Sequence, residues 1–364
     1  MASKSTNQEL MDKIVSLTKQ RGFIFPSSEI YGGFANTWDY GPLGVELQNN
    51  IKKKWWKRFV HMREDIVGLD GSILMNPKVW EASGHLKTFA DPLVDCKKCK
   101  KRFRADHLLE AKGVKPDLGK MKEMPKELKD CPECGGELTD VRQFNLMFKT
   151  FVGSLEDSQS VTYLRPETAQ SMFVNFKNIV DSSRPGFPFG IAQIGKAFRN
   201  EITPGNFTFR TLEFEQMEIE YFIREDDWKK TFDVWLAEMK DWIASLGIKV
   251  SDIVIREVDK AELAHYSKRT IDIDYKFPFG QEELYGLAYR TDFDLSNHSK
   301  VSGQELSYLD PKTNSKIVPH VIEPTFGVTR SVLAVLLSAY TEEEVKSADG
   351  KTESRVVMKF PKDY

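Results

Sequence analysis

A chain of 364 residues can bury a sizeable core and hold two or three domains, and with 52 basic against 54 acidic side chains its net charge is −2. That balance excludes a generally basic nucleic-acid coat, so any RNA contact has to come from local patches. The polar start, MASKSTNQELMDK, has no apolar signal core and no run approaches the length of a bilayer span, which implies a cytoplasmic protein with no membrane partner.

Leu10, Ile14 and Leu17 share one stripe and predict a helix over residues 7–21, stopped at Arg21-Gly22-Phe23. The stretch FPSSEIYGGFANTWDYGPLG, dense in glycine, proline and aromatics, reads as a loop. From Pro42 to about His61 the ladder Leu43, Leu47, Ile51, Trp55 and Phe59 predicts a second helix with a solvated lysine face. IVGLDGSILMNPKVWEASGH then predicts a strand closing at Pro77, a turn and a short helix.

Cys96, Cys99, Cys131 and Cys134 have the spacing C-x2-C-x31-C-x2-C. Each pair suits a knuckle whose backbone amides support two thiolates, and two knuckles complete a closed tetrahedral zinc site. Redox activity is the competing reading, and the lack of a thioredoxin-like βαβ context favours structural zinc. The excursion from Lys100 to Asp130 is lysine-rich, with a short helix about Ala105 to Ala111, and His107 reads as an ordinary surface histidine. Such a charge run is usually a solvated face.

Residues 141–188 open with VRQFNLMFKTFVG, a predicted strand pair, and continue into a strand-to-helix junction at Arg165-Pro166-Glu167. A helix N-terminus favours a carboxylate at Glu167. The stretch Phe189–Phe222 predicts a hairpin whose return strand, Arg210 to Tyr221, alternates with period two. Arg210, Leu212, Phe214, Gln216 and Glu218 share one face, with Arg199 and Glu201 on the neighbouring strand. A salt-bridged, solvent-facing hairpin is one reading, and a site for phosphates, a flat base and an amine is the other.

Residues 225–247 form an amphipathic helix with Trp228, Phe232, Trp235, Met239 and Trp242 on its core side. VSDIVIREV and the alternation of Ile271, Ile273 and Tyr275 predict two more strands. A third puts Leu284, Gly286, Ala288, Arg290 and Asp292 on one face, where the small residues leave room for a ligand; an ion pair from Arg290 to Asp292 or Asp294 is the alternative. A last strand ends at Glu323, followed by a Pro-Thr-Phe-Gly turn and an apolar helix from Val328. Arg330 is a lone cation in its first turn, where it opposes the helix dipole, and an anionic ligand would account for it.

Phe198 to Glu201, Arg210 and Phe214 resemble motif 2 of class II aminoacyl-tRNA synthetases. The helix from Pro42 with its following strand and Pro77 resembles motif 1, the homodimer interface of that family, and Gly327 to Arg330 resembles motif 3. The segments AQIGKAFRNEITP, EFEQMEIEYF, RPETAQ, Tyr31-Gly32-Gly33 and Trp38 to Pro42 narrow the resemblance to glycyl-tRNA synthetases of the dimeric type.

The resemblance implies an α+β fold, a class II synthetase-like antiparallel sheet flanked by helices with a zinc-binding insertion. It divides the chain into residues 1–95 with motif 1, the insertion at 96–140, and a catalytic core at 141–364. It implies a glycine–tRNA ligase that activates glycine with ATP and Mg2+ and transfers it to the 3' end of tRNA(Gly). In that scheme Arg199 is catalytic, neutralising charge on the α-phosphate; Glu201 accepts from the adenine amine, Phe214 stacks under the base, and Arg210 and Arg330 hold the γ-phosphate or the other face of the ring. Glu167, Glu218 and Glu323 surround the glycine ammonium, Arg290 takes its carboxylate, and Thr325 supplies the hydroxyl for which the family has serine. Ser171 stands where the family commonly has glycine.

The lysine-rich excursion would touch the acceptor end of tRNA. Where the family continues into an α/β anticodon-binding domain of roughly a hundred residues, this chain stops at VVMKFPKDY, so the expectation is a catalytic domain without it. Two alternatives remain open: a truncated paralogue forming glycyl-adenylate or diadenosine tetraphosphate without efficient tRNA charging, and a non-catalytic zinc-stabilised RNA-binding module.

Overall fold

The computed structural model describes residues 2–34, 36–114, 128–157, 160–311, 313–346 and 352–362, with side chains from residue 7 onward. Seven strands make its main sheet: β1 (Ile66–Gly68), β2 (Phe189–Phe198), β3 (Glu213–Ile223), β4 (Ile253–Glu257), β5 (Arg269–Phe277), β6 (Gly280–Thr291) and β7 (His320–Gly327). Their order is β4-β5-β6-β7-β3-β2-β1. Every neighbouring pair is antiparallel except β1 with β2, so the expected antiparallel sheet carries one short parallel edge strand.

Alternation along β3 separates two environments. Met217, Ile219, Tyr221 and Ile223 point into the larger core, where they meet Leu47, Ile51 and Trp55 of α2 (Pro42–Trp56), Trp235, Met239 and Trp242 of α4 (Trp228–Ser245), and the apolar helix α6 (Val328–Ala339). Trp55, Trp235 and Trp242 are fully buried; each contributes roughly 3 kcal/mol or more of apolar burial. The opposite face carries Phe214, Gln216, Glu218 and Glu220. It is covered at one end by α3 (Ala169–Val174) and α5 (Phe293–Ser302) through a second core of Met172, Phe173, Phe189, Phe222 and Leu295. One face of the sheet is thus fixed by large apolar contacts, which frees the other for charge.

Several elements differ from the sequence expectation. The helix from Pro42 is α-helical to Trp56 and continues as a π-turn, Lys57–His61, that keeps Phe59 in the core. The strand expected to run to Pro77 ends at Gly68, and two short helices, Lys78–Ala82 and His85–Thr88, follow. VRQFNLMFKTFVG does hold two strands, but Arg142–Asn145 pairs with Ala90–Asp95 and Lys149–Phe151 with Val161–Tyr163, because the buried Leu146 and Met147 separate them. The return strand of the central hairpin begins at Glu213, and residues 199–212 form a loop closed by a Gly205–Arg210 bridge. Asp292 lies beyond β6, at the N-terminus of α5, and so leaves the strand face it was assigned to.

The strands Ala90–Asp95, Arg102–Arg104 and Arg142–Asn145 make a small sheet beside the four cysteines and the expected short helix, Ala105–Glu110. Residues 115–127 of the lysine-rich excursion lie outside the described residues. Among the described residues no helix is long and apolar enough to cross a membrane.

Candidate active site

A cavity of about 360 Å³ opens on the charged face of the sheet. Arg199, Glu201, Arg210, Phe214 and Arg330 line it together with Glu167, Glu218, Glu323 and Thr325. Arg199 leaves the end of β2, donates from Nε to the Pro166 carbonyl at 3.1 Å, and stands 5.1 Å from the ring centre of Phe214. The loop that carries Arg210 is held from outside the sheet: Asn36 Nδ2 donates to the Arg210 carbonyl at 2.6 Å, and Trp38 packs edge-on against Phe207 at 4.6 Å.

Arg330 is not the lone cation expected of it. Its Nη1 reaches the Glu283 carbonyl at 2.8 Å and the Glu283 carboxylate at 3.0 Å, and its guanidinium lies 4.4 Å from the Phe209 ring centre. Glu283 reaches this face through a bulge. The register of β5 against β6 shifts between Ile273 and Asp274, so that Leu284 is the extra residue and the parity of the strand reverses before it. Burial pushes the Glu283 carboxyl up, and Arg330 outweighs it and holds the group below its ordinary range. Asp272, also lining the cavity, is pushed up to about 7 by burial and by the neighbouring Glu283.

Farther along the strands the site becomes a buried charge network. Glu218 accepts from the Thr168 backbone N–H at 3.1 Å, from the Thr168 hydroxyl, and from Gln216 Nε2 at 2.8 Å. Glu167 meets His85 Nε2 at 3.3 Å and accepts from Gln170 Nε2 at 3.0 Å. Arg290 has no exposed side-chain surface. It lies behind the cavity wall, donating from Nε and Nη2 to both oxygens of Asp294 at 2.9 and 3.0 Å and from Nη1 to Glu323 at 2.8 Å. The ion pair to Asp294 that the sequence left as an alternative is therefore formed, and Nη2 also stands 3.8 Å from Glu167.

Carboxyls outnumber cations here. Burial pushes Glu167 up, but His85, Arg290 and Gln170 outweigh it and hold the group well below the carboxylate range. Burial and the neighbouring Glu167 raise Glu218, and burial with Glu218 and Glu167 nearby pushes Glu323 up to about 8 against the pull of Arg290. Glu220, fully buried on the same face of β3, is raised well above its ordinary range by burial and by Glu323. A small ammonium would relieve this surplus of negative charge.

Residues 150–340 match the tRNA synthetase class II core domain (G, H, P, S and T). The chain is 55% identical to the glycine–tRNA ligase of Alkaliphilus oremlandii, over 97% of this chain and 78% of that one. It is 57% identical to the glycine–tRNA ligase of Geobacillus kaustophilus, over 96% of this chain and 77% of that one. The chain belongs to the glycine–tRNA ligase family. It is by that membership an aminoacyl-tRNA synthetase, and it spans a little over three quarters of the length of these relatives. The prolyl-tRNA synthetase of Cryptosporidium parvum, solved with L-proline and AMP, superposes with a TM-score of 0.57 at 13% identity, over 90% of this chain and 52% of that one, and shares the fold.

In this glycine–tRNA ligase chain some sequence hallmarks are structural. Arg165 of the Arg-Pro-Glu segment donates to the carbonyls of Lys196 and Gly71 at 2.7 and 2.6 Å, and a Cβ at Gly195 would stand 2.3 Å from its Nη2. Ser171 lies away from the cavity, with its hydroxyl donating to Gln193 Oε1 at 2.6 Å. Sequence reasoning passed over His85, Gln170, Glu220 and Glu283. Only Glu220 had a local signal, the alternation that already put Glu218 on the face.

The four cysteines converge as their spacing predicts. Their sulfurs lie within 4.8 Å of one another, with 3.5 Å between Cys96 and Cys134 and 3.8 Å between Cys99 and Cys131. A tetrahedral ion bound at about 2.3 Å to each sulfur would hold them about 3.8 Å apart. The Cys99 N–H donates to Cys96 Sγ at 3.3 Å, and an added Cβ at Gly136 would stand 3.2 and 3.3 Å from two of the sulfurs. The set fits a metal ion in a closed site.

Proposed function

We propose that the cavity is where glycine is activated by ATP before its transfer to tRNA(Gly). The observation that carries this reading is the meeting, in one cavity, of Arg199, Phe214 and Arg330 with a buried cage of Glu167, Glu218 and Glu323. Adenylation needs the glycine carboxylate in line with the α-phosphorus and pyrophosphate free to leave, and no protein nucleophile is required. Arg199 offsets charge growing on the α-phosphate, Phe214 stacks on the adenine, and Glu201 accepts from its amine. Arg210 and Arg330 serve the γ-phosphate end or the other face of the ring. Glu283 and Asp272, which line the cavity, would hold Mg2+, which would supply charge neutralisation for the polyphosphate.

Glycine's ammonium is taken by Glu167, Glu218 and Glu323, with Thr325 beside them. Arg290 anchors Glu323 and Asp294 from behind the cavity wall, and its charge would act on the glycine carboxylate from there. The cysteine set is a structural zinc site in an insertion over residues 96–140, within a catalytic unit that acts as a homodimer in the cytoplasm.

The test is glycine-dependent exchange of pyrophosphate into ATP, followed by charging of tRNA. Glu167→Ala is expected to abolish exchange, since it removes the one cage carboxyl held firmly ionised. Near-wild-type exchange in that variant would overturn the assignment of the amine site.

A further inference from the structure

We propose that Tyr266 is a specificity-determining residue: its ring roofs the amino-acid end of the cavity and keeps it too small for any side chain. The proposal rests on the reading of that end as the glycine site. Tyr266 belongs to the segment between β4 and β5, residues 258–268, whose Val258, Glu262, Ala264 and Tyr266 line the cavity. The Arg290 guanidinium carbon lies 3.7 Å from the centre of the Tyr266 ring, with the Phe173 ring centre at 5.3 Å. Arg290 projects from the charged face of the sheet. A ring stacked on its guanidinium therefore stands off that sheet, above a floor made of Gly286, Ala288 and Thr325.

Small residues in the floor enlarge the cavity, so its height is set from above. Glycine offers no side chain to grip, and alanine can be refused only by a wall. An aromatic ring held on a buried cation is a stiff wall, because moving it forfeits a desolvated cation–π contact.

A second set of contacts keeps the roof down. His265 Nε2 stands 3.0 Å from the Ser83 carbonyl, and the His265 ring packs edge-on against Phe293 at 5.2 Å. Gly84 has φ +86°, and a Cβ there would stand 3.0 Å from His265 Nε2. The next residue, His85, is the one that meets Glu167, with its Nδ1 2.8 Å from the Ser83 hydroxyl. Three consecutive residues, Ser83 to His85, thus tie the ammonium cage to the roof.

The experiment compares exchange with glycine and with L-alanine. Y266A is expected to raise the alanine-to-glycine ratio of kcat/KM by about 10- to 100-fold, the range over which a pocket discriminates one small apolar group. Y266F, which keeps the ring, is expected to keep the wild-type ratio, and H265A is expected to shift it in the same direction as Y266A by a smaller factor. Binding of the non-reacting glycyl and alanyl sulfamoyl-adenosines, measured by calorimetry, gives the same ratio without turnover if Y266A is inactive. Absence of glycine-dependent exchange in the wild-type protein would refute the glycine site itself. Wild-type exchange together with wild-type discrimination in both Y266A and H265A would overturn the roof alone.

Discussion

The two halves of the cavity use arginine in opposite ways. At the proposed nucleotide end Arg199 and Arg330 are half-buried and lie against aromatic rings; among the described residues Arg199 donates to one backbone carbonyl, and Arg330 meets two carbonyls and the partly exposed Glu283 carboxylate. At the amino-acid end Arg290 is wholly buried and tied to Asp294 and Glu323. On the proposed assignment ATP brings its own charge, stacking surface and metal, so its half can stay open and wait for the ligand to complete it. Glycine brings only one ammonium and one carboxylate, and its half has to be built in advance. Preorganisation is therefore concentrated where the ligand is smallest.

The largest break in this contrast is expected from Arg290→Met. It would leave Asp294, Glu323 and Glu167 buried without their cation and lower unfolding stability by about 3–5 kcal/mol, read as a shift of the urea midpoint. Arg199→Met should lower stability by less than about 1 kcal/mol, yet slow exchange at least about a hundredfold, the scale of one lost transition-state charge partner. Comparable destabilisation by the two variants would erase the distinction between a prebuilt half and an open one.

A pH profile sharpens the same point. Glu323 is raised to about 8 by burial and the neighbouring carboxyls. Protonation as pH falls through that range weakens its hold on the ammonium, so kcat/KM for glycine is expected to fall as pH drops from 9 to 6.5, by at most about tenfold per unit. Glu167, held well below the carboxylate range, does not titrate in this window. Glu323→Gln should flatten the glycine profile between pH 9 and 7.5, whereas the KM for ATP should rise only as Asp272, pushed up to about 7, becomes protonated. A flat wild-type profile would show that Glu323 is ionised throughout.

What was legible in the sequence follows the same division. That Arg199, Glu201, Arg210, Phe214 and Arg330 line one cavity was readable because each sits in a short motif, and that Glu218 joins them because strand alternation is local. Glu283 was hidden by the bulge at Leu284, which reverses the parity that any period-two reading assumes. His85, Gln170 and Tyr266 were hidden for another reason: their roles lie in contacts to residues far along the chain, and Tyr266 belongs to a segment with no periodicity. The spacing of the four cysteines foretold their convergence, whereas the partners of the strands Arg142–Asn145 and Lys149–Phe151 depend on tertiary packing that no local pattern encodes.

The smallest expected effect concerns how an open half is kept in register. The loop from Arg199 to Leu212 has few ladder contacts, and Asn36 ties it to the N-terminal loop by donating to the Arg210 carbonyl at 2.6 Å and, more weakly, to the Phe207 carbonyl at 3.4 Å. Asn36 itself has φ +50°, a left-handed conformation that asparagine tolerates better than most residues. Asn36→Gly keeps the left-handed backbone, removes both hydrogen bonds, the stronger worth about 1 kcal/mol, and leaves the fold's core untouched. The KM for ATP is expected to rise about fivefold, the equivalent of that energy, with the KM for glycine unchanged because its half is held by separate contacts. An equal rise in both would mean that the nucleotide loop and the glycine cage move as one unit.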